Sequence, residues 1–264
     1  MSLSAAFNVE SFKLRKSKIL FFTIAACVLI SVMIGFFIYI SLHPELFNDN
    51  SLIGTKASLF AITTWQAYFT LMLQMIVFMG FILYGFLTIW VFGREYSDRT
   101  LKDLLALPIS RTSILLSKFI VASIWSFILS MVLFICSILI GFAINLHGWS
   151  TDVAFHVLFY YTLASVLAIL ITAPVALVAS IGKGYLAPFG YIITVTVLAQ
   201  FINTGLPGLD PYVPWILPAL VSQSGVPSTV PLPALNLLSY LIFFGTVLLG
   251  VFGTIYYWNY TDQF

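Results

Sequence analysis

The stretch Phe92–Thr112, FGREYSDRTLKDLLALPISRT, interleaves four basic with three acidic side chains. Long apolar runs lie on both sides of it, at 68–92 and 119–144. Over the whole chain 61% of the residues are hydrophobic and only 8% are charged, whereas soluble domains carry about 25% charged residues. We therefore predict an integral membrane protein in which this stretch is a polar connection between two membrane crossings.

Six apolar segments are long enough to cross a bilayer as helices, which takes about 20 residues each. Every backbone polar group must be satisfied within lipid, and no pattern of alternating ten-residue strands is present, so we expect an all-α membrane fold. The predicted spans are Ile19–Ile40, Tyr68–Phe92, Phe119–Ile144, Leu158–Ile181, Phe189–Ile202 with a short extension, and Leu235–Trp258. Residues 1–264 are predicted to form one membrane domain without a separate soluble catalytic domain.

The basic residues predict how the chain is oriented in the membrane. They precede the first span or lie in the second-to-third and fourth-to-fifth connections, and only Lys56 lies on the other side. The bases on the majority side are Lys13, Arg15, Lys16, Lys18, Arg94, Arg99, Lys102, Arg111, Lys118 and Lys183. This positive-inside pattern predicts cytoplasmic N and C termini. Residues 1–18 are expected to form a cytoplasmic interfacial segment, and the first span is expected to be a retained anchor.

The segment 203–234, between the fifth and sixth predicted spans, contains seven prolines and one charged residue, Asp210. Seven prolines exclude a continuous helix, yet the segment is too apolar for a free loop. Two interpretations remain open: short broken, re-entrant helices that dip into the membrane against the spans, or an ordered outer loop that plugs the bundle. Within the fourth span, Pro174 is predicted to produce a kink.

The sequence lacks the residues that several classes of membrane protein need. No ionisable residue lies near the middle of a predicted span, where it would cost about 2.5–3.5 kcal/mol, and this disfavours ion-coupled transport. No HExxH, GxSxG or GxxxxGK[ST] motif is present, so we predict no catalytic residue, no metal site and no cofactor bound by this chain. Polar residues in the spans, such as Gln74, Thr196 and Gln200, are expected to join helices by hydrogen bonds. A substrate lining is the less favoured alternative for them.

The charged stretch, which we call the hinge (residues 93–113), is expected to meet a protein partner. Orientation and attraction to anionic lipid need only bases, because acids contribute little to either. Interleaved charges suit a protein surface instead, where charge complementarity sets register and partner choice. Glu95, Asp98 and Asp103 are the acids that favour this interpretation.

A short amphipathic helix is predicted inside the hinge. Leu101, Leu104 and Leu105 fall on one face at helical spacing, Thr100 can cap the start and Pro108 ends the helix. So short a helix is marginal in water by itself. Its leucine face is expected to rest on the chain's own spans or, as the favoured alternative, to enter a groove on a partner. The helix that follows can be capped by Ser110 or Thr112.

The pattern E-x-x-x-x-T-L-x-x-L-L-x-x-P-x-x-R, followed by a lysine that opens the next span, resembles the signature of membrane permeases of the type-2 ABC exporter class. It is formed here by Glu95, Thr100, Leu101, Leu104, Leu105, Pro108, Arg111 and Lys118. Many members of that class have glycine where Arg99 stands. The layout of the whole chain is also similar: a basic N-terminus, six spans, a hinge after the second and a broken segment between the fifth and sixth.

This resemblance implies a transport subunit of a bacterial plasma membrane rather than an enzyme. Two permeases, a second copy or a related chain, would form the pathway in the lipid bilayer, and two separate ABC ATPase subunits would bind ATP and Mg²⁺. The hinge would be the coupling helix, seated on the ATPase. The residues implied in that contact are Glu95, Asp98, Arg99, Thr100, Leu101, Lys102, Asp103, Leu104, Leu105, Pro108 and Arg111.

The expected cargo is amphipathic or lipidic, a peptide or a drug, because the Phe-rich bundle offers no charged site for a polar solute. No nucleic-acid partner is expected. Two other functions remain as alternatives: a non-transporting scaffold or assembly protein, which would explain the mixed charges of the hinge equally well, and an ion-coupled secondary transporter.

Overall fold

The computed structural model describes residues 3–43, 62–101, 104, 109–206, 208–225 and 235–261. The elements in these ranges are helices, and a single pair of residues, Thr64 and His147, forms an isolated β-bridge. The helices are α1 Leu3–Lys16, α2 Ile19–Leu42, α3 Trp65–Ser97, α4 Arg111–Ala143, α5 Thr151–Leu170, α6 Ala173–Ile181, α7 Leu186–Gly205, α8 Leu217–Gln223 and α9 Leu237–Tyr260, with a 3₁₀ turn at Asp210–Tyr212.

Six helical segments are long and apolar enough to cross a membrane, which confirms the predicted all-α membrane fold. They are α2, α3, α4, the pair α5 and α6 taken together, α7 and α9. Helices α3 and α4 each have 33 residues, more than the roughly 20 that a crossing requires. Both run on into the hinge, so the end of the bundle that carries residues 93–113 is called the hinge end below.

The fourth span is broken where Pro174 predicts it. Helix α5 ends at Leu170, and Pro174 occupies the first turn of α6, where its missing N–H costs no hydrogen bond. Thr172 connects the halves, because its hydroxyl donates to the Ile169 carbonyl at 2.7 Å and its carbonyl accepts from the Val175 N–H at 2.9 Å. The predicted kink is confirmed.

The sixth span passes directly over this break. A Cβ placed on Gly250 of α9 would lie 2.5 Å from both the carbonyl carbon of Ala173 and the nitrogen of Pro174. Only glycine lets two backbones approach this closely. The hydroxyl of Thr88, on α3, donates to that of Thr172 at 3.3 Å, so spans two and six both contact the break.

Part of the segment 203–234 folds into short helices, as one of the two interpretations predicts. Helix α8 packs against α3 and α5, and its residues Leu217 and Val221 are buried in one apolar cluster with Ile192 of α7 and Phe243 of α9. Residues 207 and 226–234 lie outside the described part of the chain. Whether these short helices enter the membrane stays a prediction.

Candidate functional site

The second span ends in a turn that needs a left-handed residue, and Arg99 takes that conformation with φ = 57°. The N–H of Arg99 donates to the Tyr96 carbonyl at 3.3 Å, and the N–H of Thr100 donates to the Glu95 carbonyl at 3.1 Å. These two bonds form a Schellman motif, whose left-handed position is usually glycine. The motif therefore explains why glycine suits position 99, and the turn forms although arginine stands there.

The leucine face of the hinge rests on the chain's own helices, as far as the structure describes it. Leu101 and Leu104 are 5% and 9% exposed, and they share an apolar cluster with Leu14 of α1, Phe92 of α3 and Leu115 of α4. The Leu104 N–H donates to the Thr100 carbonyl at 3.1 Å, which gives one helical turn. Leu101 and Leu104 thus pack on the chain's own helices, and a partner groove for the leucine face stays a prediction. Lys102, Asp103, Leu105 and Pro108 lie outside the described residues.

A buried ion cluster lies beneath the hinge. Lys118, on α4, is fully buried. Its Nζ donates to Glu95 Oε1 at 2.7 Å, to Glu10 Oε2 at 3.0 Å and to the Val91 carbonyl at 3.0 Å. Removing a lone ammonium group from water costs several kcal/mol. Three acceptors at hydrogen-bonding distance offset that cost here.

Lys13 completes the cluster from α1. Its Nζ donates to Glu10 Oε1 at 2.9 Å and to Glu95 Oε1 at 3.2 Å. The two bases and two acids balance in formal charge, and they come from three helices: α1, α3 and α4. The cluster therefore holds the N-terminal helix against the two helices that flank the hinge.

The end of the hinge that leads into α4 is hydrogen-bonded to the sixth span. Ser110 caps α4 by accepting the N–H of Ser113, which settles the choice between Ser110 and Thr112. Arg111 Nη1 donates to the carbonyl of Trp258 at 2.6 Å, where a cation is favoured at the C-terminal end of a helix. The indole N–H of Trp258 in turn donates to Ser180 Oγ of α6 at 2.9 Å.

The structure thus divides the described hinge residues into two groups. Glu95, Leu101 and Leu104 are buried and Arg111 is half-buried, and all four make internal contacts. Asp98, Arg99 and Thr100 are exposed. Asp98 accepts from Arg94 Nε at 3.1 Å, and the Arg94 guanidinium lies 5.1 Å from the ring centroid of Trp90. Contact with a partner stays a prediction, and the exposed group is the one open to it.

The fourth-to-fifth connection lies beside this exposed surface. A Cβ on Gly93 would meet the ring of Tyr185 at 2.8 Å, so α3 and this connection are in close contact. Burial and the nearby Asp98 carboxylate raise the pKa of the Tyr185 phenol above its ordinary value. The surface around Arg99 is therefore formed by two connections rather than by the hinge alone.

Sequence reasoning did not predict the ion cluster. It assigned Lys13 and Lys118 to orientation and Glu95 to a partner contact, and it gave Glu10 no role. A signal was available, because Glu10 is the only acid before the first span, and Glu95 and Lys118 stand at the facing ends of two consecutive helices. Consecutive helices joined by a short connection lie side by side, which brings those ends together.

A second candidate site lies at the other end of the bundle, where α3, α7 and α8 enclose a cavity of about 450 Å³. Its polar lining includes four carboxamide side chains, and no lining residue carries a formal charge. The carboxamides belong to Gln74, Gln200, Asn203 and Gln223. Thr196 and Trp215 also line it, and Thr196 Oγ1 and Trp215 Nε1 are buried atoms without a hydrogen-bond partner among the described residues. Among the described residues, Thr196 therefore does not make the predicted interhelical hydrogen bond, and a substrate lining stays the alternative prediction.

Comparison with known proteins gives two matches. A family model for ABC-2 family transporter proteins matches residues 6–202 of this chain. The bacitracin transport permease protein BCRB of Bacillus licheniformis is 26% identical over 192 residues, which cover 72% of this chain and 88% of that protein. The matched region contains most of α1, the ion cluster and the hinge.

We predict that Arg99→Gly stabilises the protein by about 1 kcal/mol, because glycine adopts the left-handed conformation without the cost that a Cβ imposes. The thermal unfolding midpoint in detergent checks this. Arg99→Ala is the matched control, because it removes the same charge and keeps the Cβ. Equal stability of the two variants would contradict the prediction.

We predict that Lys118→Met destabilises the protein by about 3–5 kcal/mol, because two buried carboxylates are left with Lys13 alone. Adding Glu95→Gln to this variant should recover part of the loss, since Glu10 and Lys13 then balance. Unfolding in detergent measures both effects, and Lys183→Met serves as the control for losing a base outside the cluster. A Lys118→Met variant as stable as that control would show that the cluster contributes nothing.

Proposed function

Since this chain belongs to the ABC-2 family of transporter proteins and is a permease of the bacterial plasma membrane, we propose that it exports amphipathic peptides with energy from separate ATPase subunits. The observation that carries this proposal is the division of the hinge into a buried, internally bonded side and an exposed, charged side. Such an element can receive force from outside and pass it inwards. Neither a scaffold nor an ion-coupled transporter requires that arrangement.

The internal side of the hinge connects to four spans. The ion cluster joins it to α1, and through α1 to the first span, while Glu95 and Lys118 belong to the second and third. Arg111 adds the sixth span through Trp258. Because packed interiors deform little, a displacement of the hinge would move these helices together. We propose that ATP-driven closure of the ATPases supplies this displacement.

The exposed side offers a mixed-charge surface to the ATPase. Asp98, Arg99 and Thr100 lie on it, beside the connection that contains Tyr185. Opposite charges placed side by side favour one register of a partner over others. Two permease chains and two ATPases would complete the exporter, with ATP and Mg²⁺ on the ATPases.

The cavity between α3, α7 and α8 is proposed as the cargo site. Carboxamides both donate and accept hydrogen bonds, so they match the amide groups of a peptide, while the rings of Phe78, Phe81 and Trp215 offer apolar contact. Its size of about 450 Å³ falls within the range of ligand cavities. The relative is a bacitracin transport permease, so bacitracin is the first cargo to test.

We predict that Arg99→Glu weakens binding of the partner ATPase about tenfold, because the new carboxylate would face the acidic groups that complement Arg99. The measurement is co-purification, followed by bacitracin-stimulated ATP hydrolysis in reconstituted vesicles. Asp152→Lys is the control, since it changes one exposed charge at the opposite end of the bundle. Full ATPase binding by Arg99→Glu would contradict the proposed coupling surface.

Complexes without cargo-stimulated hydrolysis would favour the scaffold, and transport that follows an ion gradient without ATP would favour the secondary transporter.

We predict that Gln200→Leu raises the bacitracin concentration for half-maximal stimulation about fivefold, because one hydrogen bond contributes about 1 kcal/mol. Gln66→Leu makes the same replacement at an exposed position on α3 that does not line the cavity. It should leave that concentration unchanged. Equal effects of the two substitutions would exclude the cavity as the cargo site.

A further inference from the structure

A groove of about 360 Å³ separates the N-terminal helix from the third span at the hinge end. Its apolar wall includes Ile124, Trp125 and Ile128 of α4, and Ile124 and Ile128 are 48% and 41% exposed. Its polar rim comes from one side of α1 and includes Asn8, Ser11 and Arg15. An apolar wall beneath a rim that carries one cation suits a molecule with an apolar chain and an anionic head.

The basic residues near the groove differ in their contacts. Lys13 is occupied by Glu10 and Glu95 in the ion cluster. Arg15, Lys16 and Lys18 are exposed, and the described residues include no acid within ion-pair distance of them. Lys16 Nζ lies 5.8 Å from the ring centroid of Phe12, so Arg15 and Lys18 are the two bases without a described partner, and Arg15 lines the groove directly.

The position of the groove along the bundle indicates the membrane interface. Helix α1 ends at Lys16 and the first span begins at Ile19, so the groove lies level with the start of a membrane crossing. Phe12 and Phe21 are 62% and 72% exposed on the two sides of this junction, which suits contact with lipid rather than water. The positive-inside pattern predicts that this is the cytoplasmic side, where the leaflet is anionic.

We propose that this groove is a binding site for an anionic glycerophospholipid of the cytoplasmic leaflet. An acyl chain lies on the wall formed by Ile124, Trp125 and Ile128, and the phosphate faces Arg15. Ser11 and Asn8 offer hydrogen bonds to the glycerol and the headgroup. A lipid in this position contacts both α1 and α4, the same two helices that the ion cluster joins.

Trp125 gives a direct readout, because bromine atoms on a lipid chain quench the fluorescence of an indole that they touch. The full chain is reconstituted in phosphatidylcholine vesicles with a small, equal fraction of brominated phosphatidylglycerol or brominated phosphatidylcholine. We expect stronger quenching by the phosphatidylglycerol. We expect Arg15→Gln to lower this preference about fivefold, since one base near an anionic surface contributes about 1 kcal/mol.

Three further variants distinguish a specific lipid-binding site from non-specific attraction of anionic lipid to positive charge. Trp125→Phe should lose the lipid-selective part of the quenching, and Ser11→Phe should lose it by filling the groove with the charges intact. Lys183→Gln, which removes a base away from the groove, should keep it, and circular dichroism verifies that each variant is folded. Equal quenching by both lipids, equal effects of Arg15→Gln and Lys183→Gln, or a preference that survives Trp125→Phe would overturn the proposal. So would loss of the preference in the complex with the ATPase, because a protein would then cover the groove.

Discussion

The burial of Lys118 among Glu10, Glu95 and the Val91 carbonyl is the constraint on which the hinge end depends. A charged amine with no exposed surface is stable only while its acceptors stay within hydrogen-bonding distance. That requirement fixes the distance between α3 and α4 at the point where the chain leaves the bundle. It also holds α1 against the third span, in addition to the apolar contacts of Leu14.

The hinge combines properties that are usually found in separate parts of a protein. Its apolar side chains belong to the core of the permease, whereas the residues around Arg99 belong to the surface. An ATPase that contacts only the surface residues would still act on the core, because the two sets are adjacent in the chain. The residues that receive a force and the residues that transmit it need not be the same. Glu95 and Arg111, which bond to other helices, are suited to transmit a force. Asp98 and Arg99, which are exposed, are suited to receive it.

Local features of the fold could be predicted from the sequence, because hydropathy and proline act within one segment. The six spans, the break at Pro174 and the Ser110 cap are of this kind. The ion cluster could not be predicted in the same way. Glu10 and Lys118 are 108 positions apart, and only the folding of α1 onto α4 brings them together. The cavity likewise depends on where α8 packs. The left-handed backbone of Arg99 could not be predicted, because no local sequence pattern indicates that an arginine adopts it.

The close approach of Gly250 to the break in the fourth span has a mechanical consequence. With no side chain between the two backbones, α9 cannot slide past residues 173 and 174 without bending the fourth span at its weakest point. Closer to its C-terminal end, α9 is held by Arg111 at Trp258, and Thr88 links the break back to α3. Hinge, sixth span, break and second span are therefore joined in a closed ring of contacts.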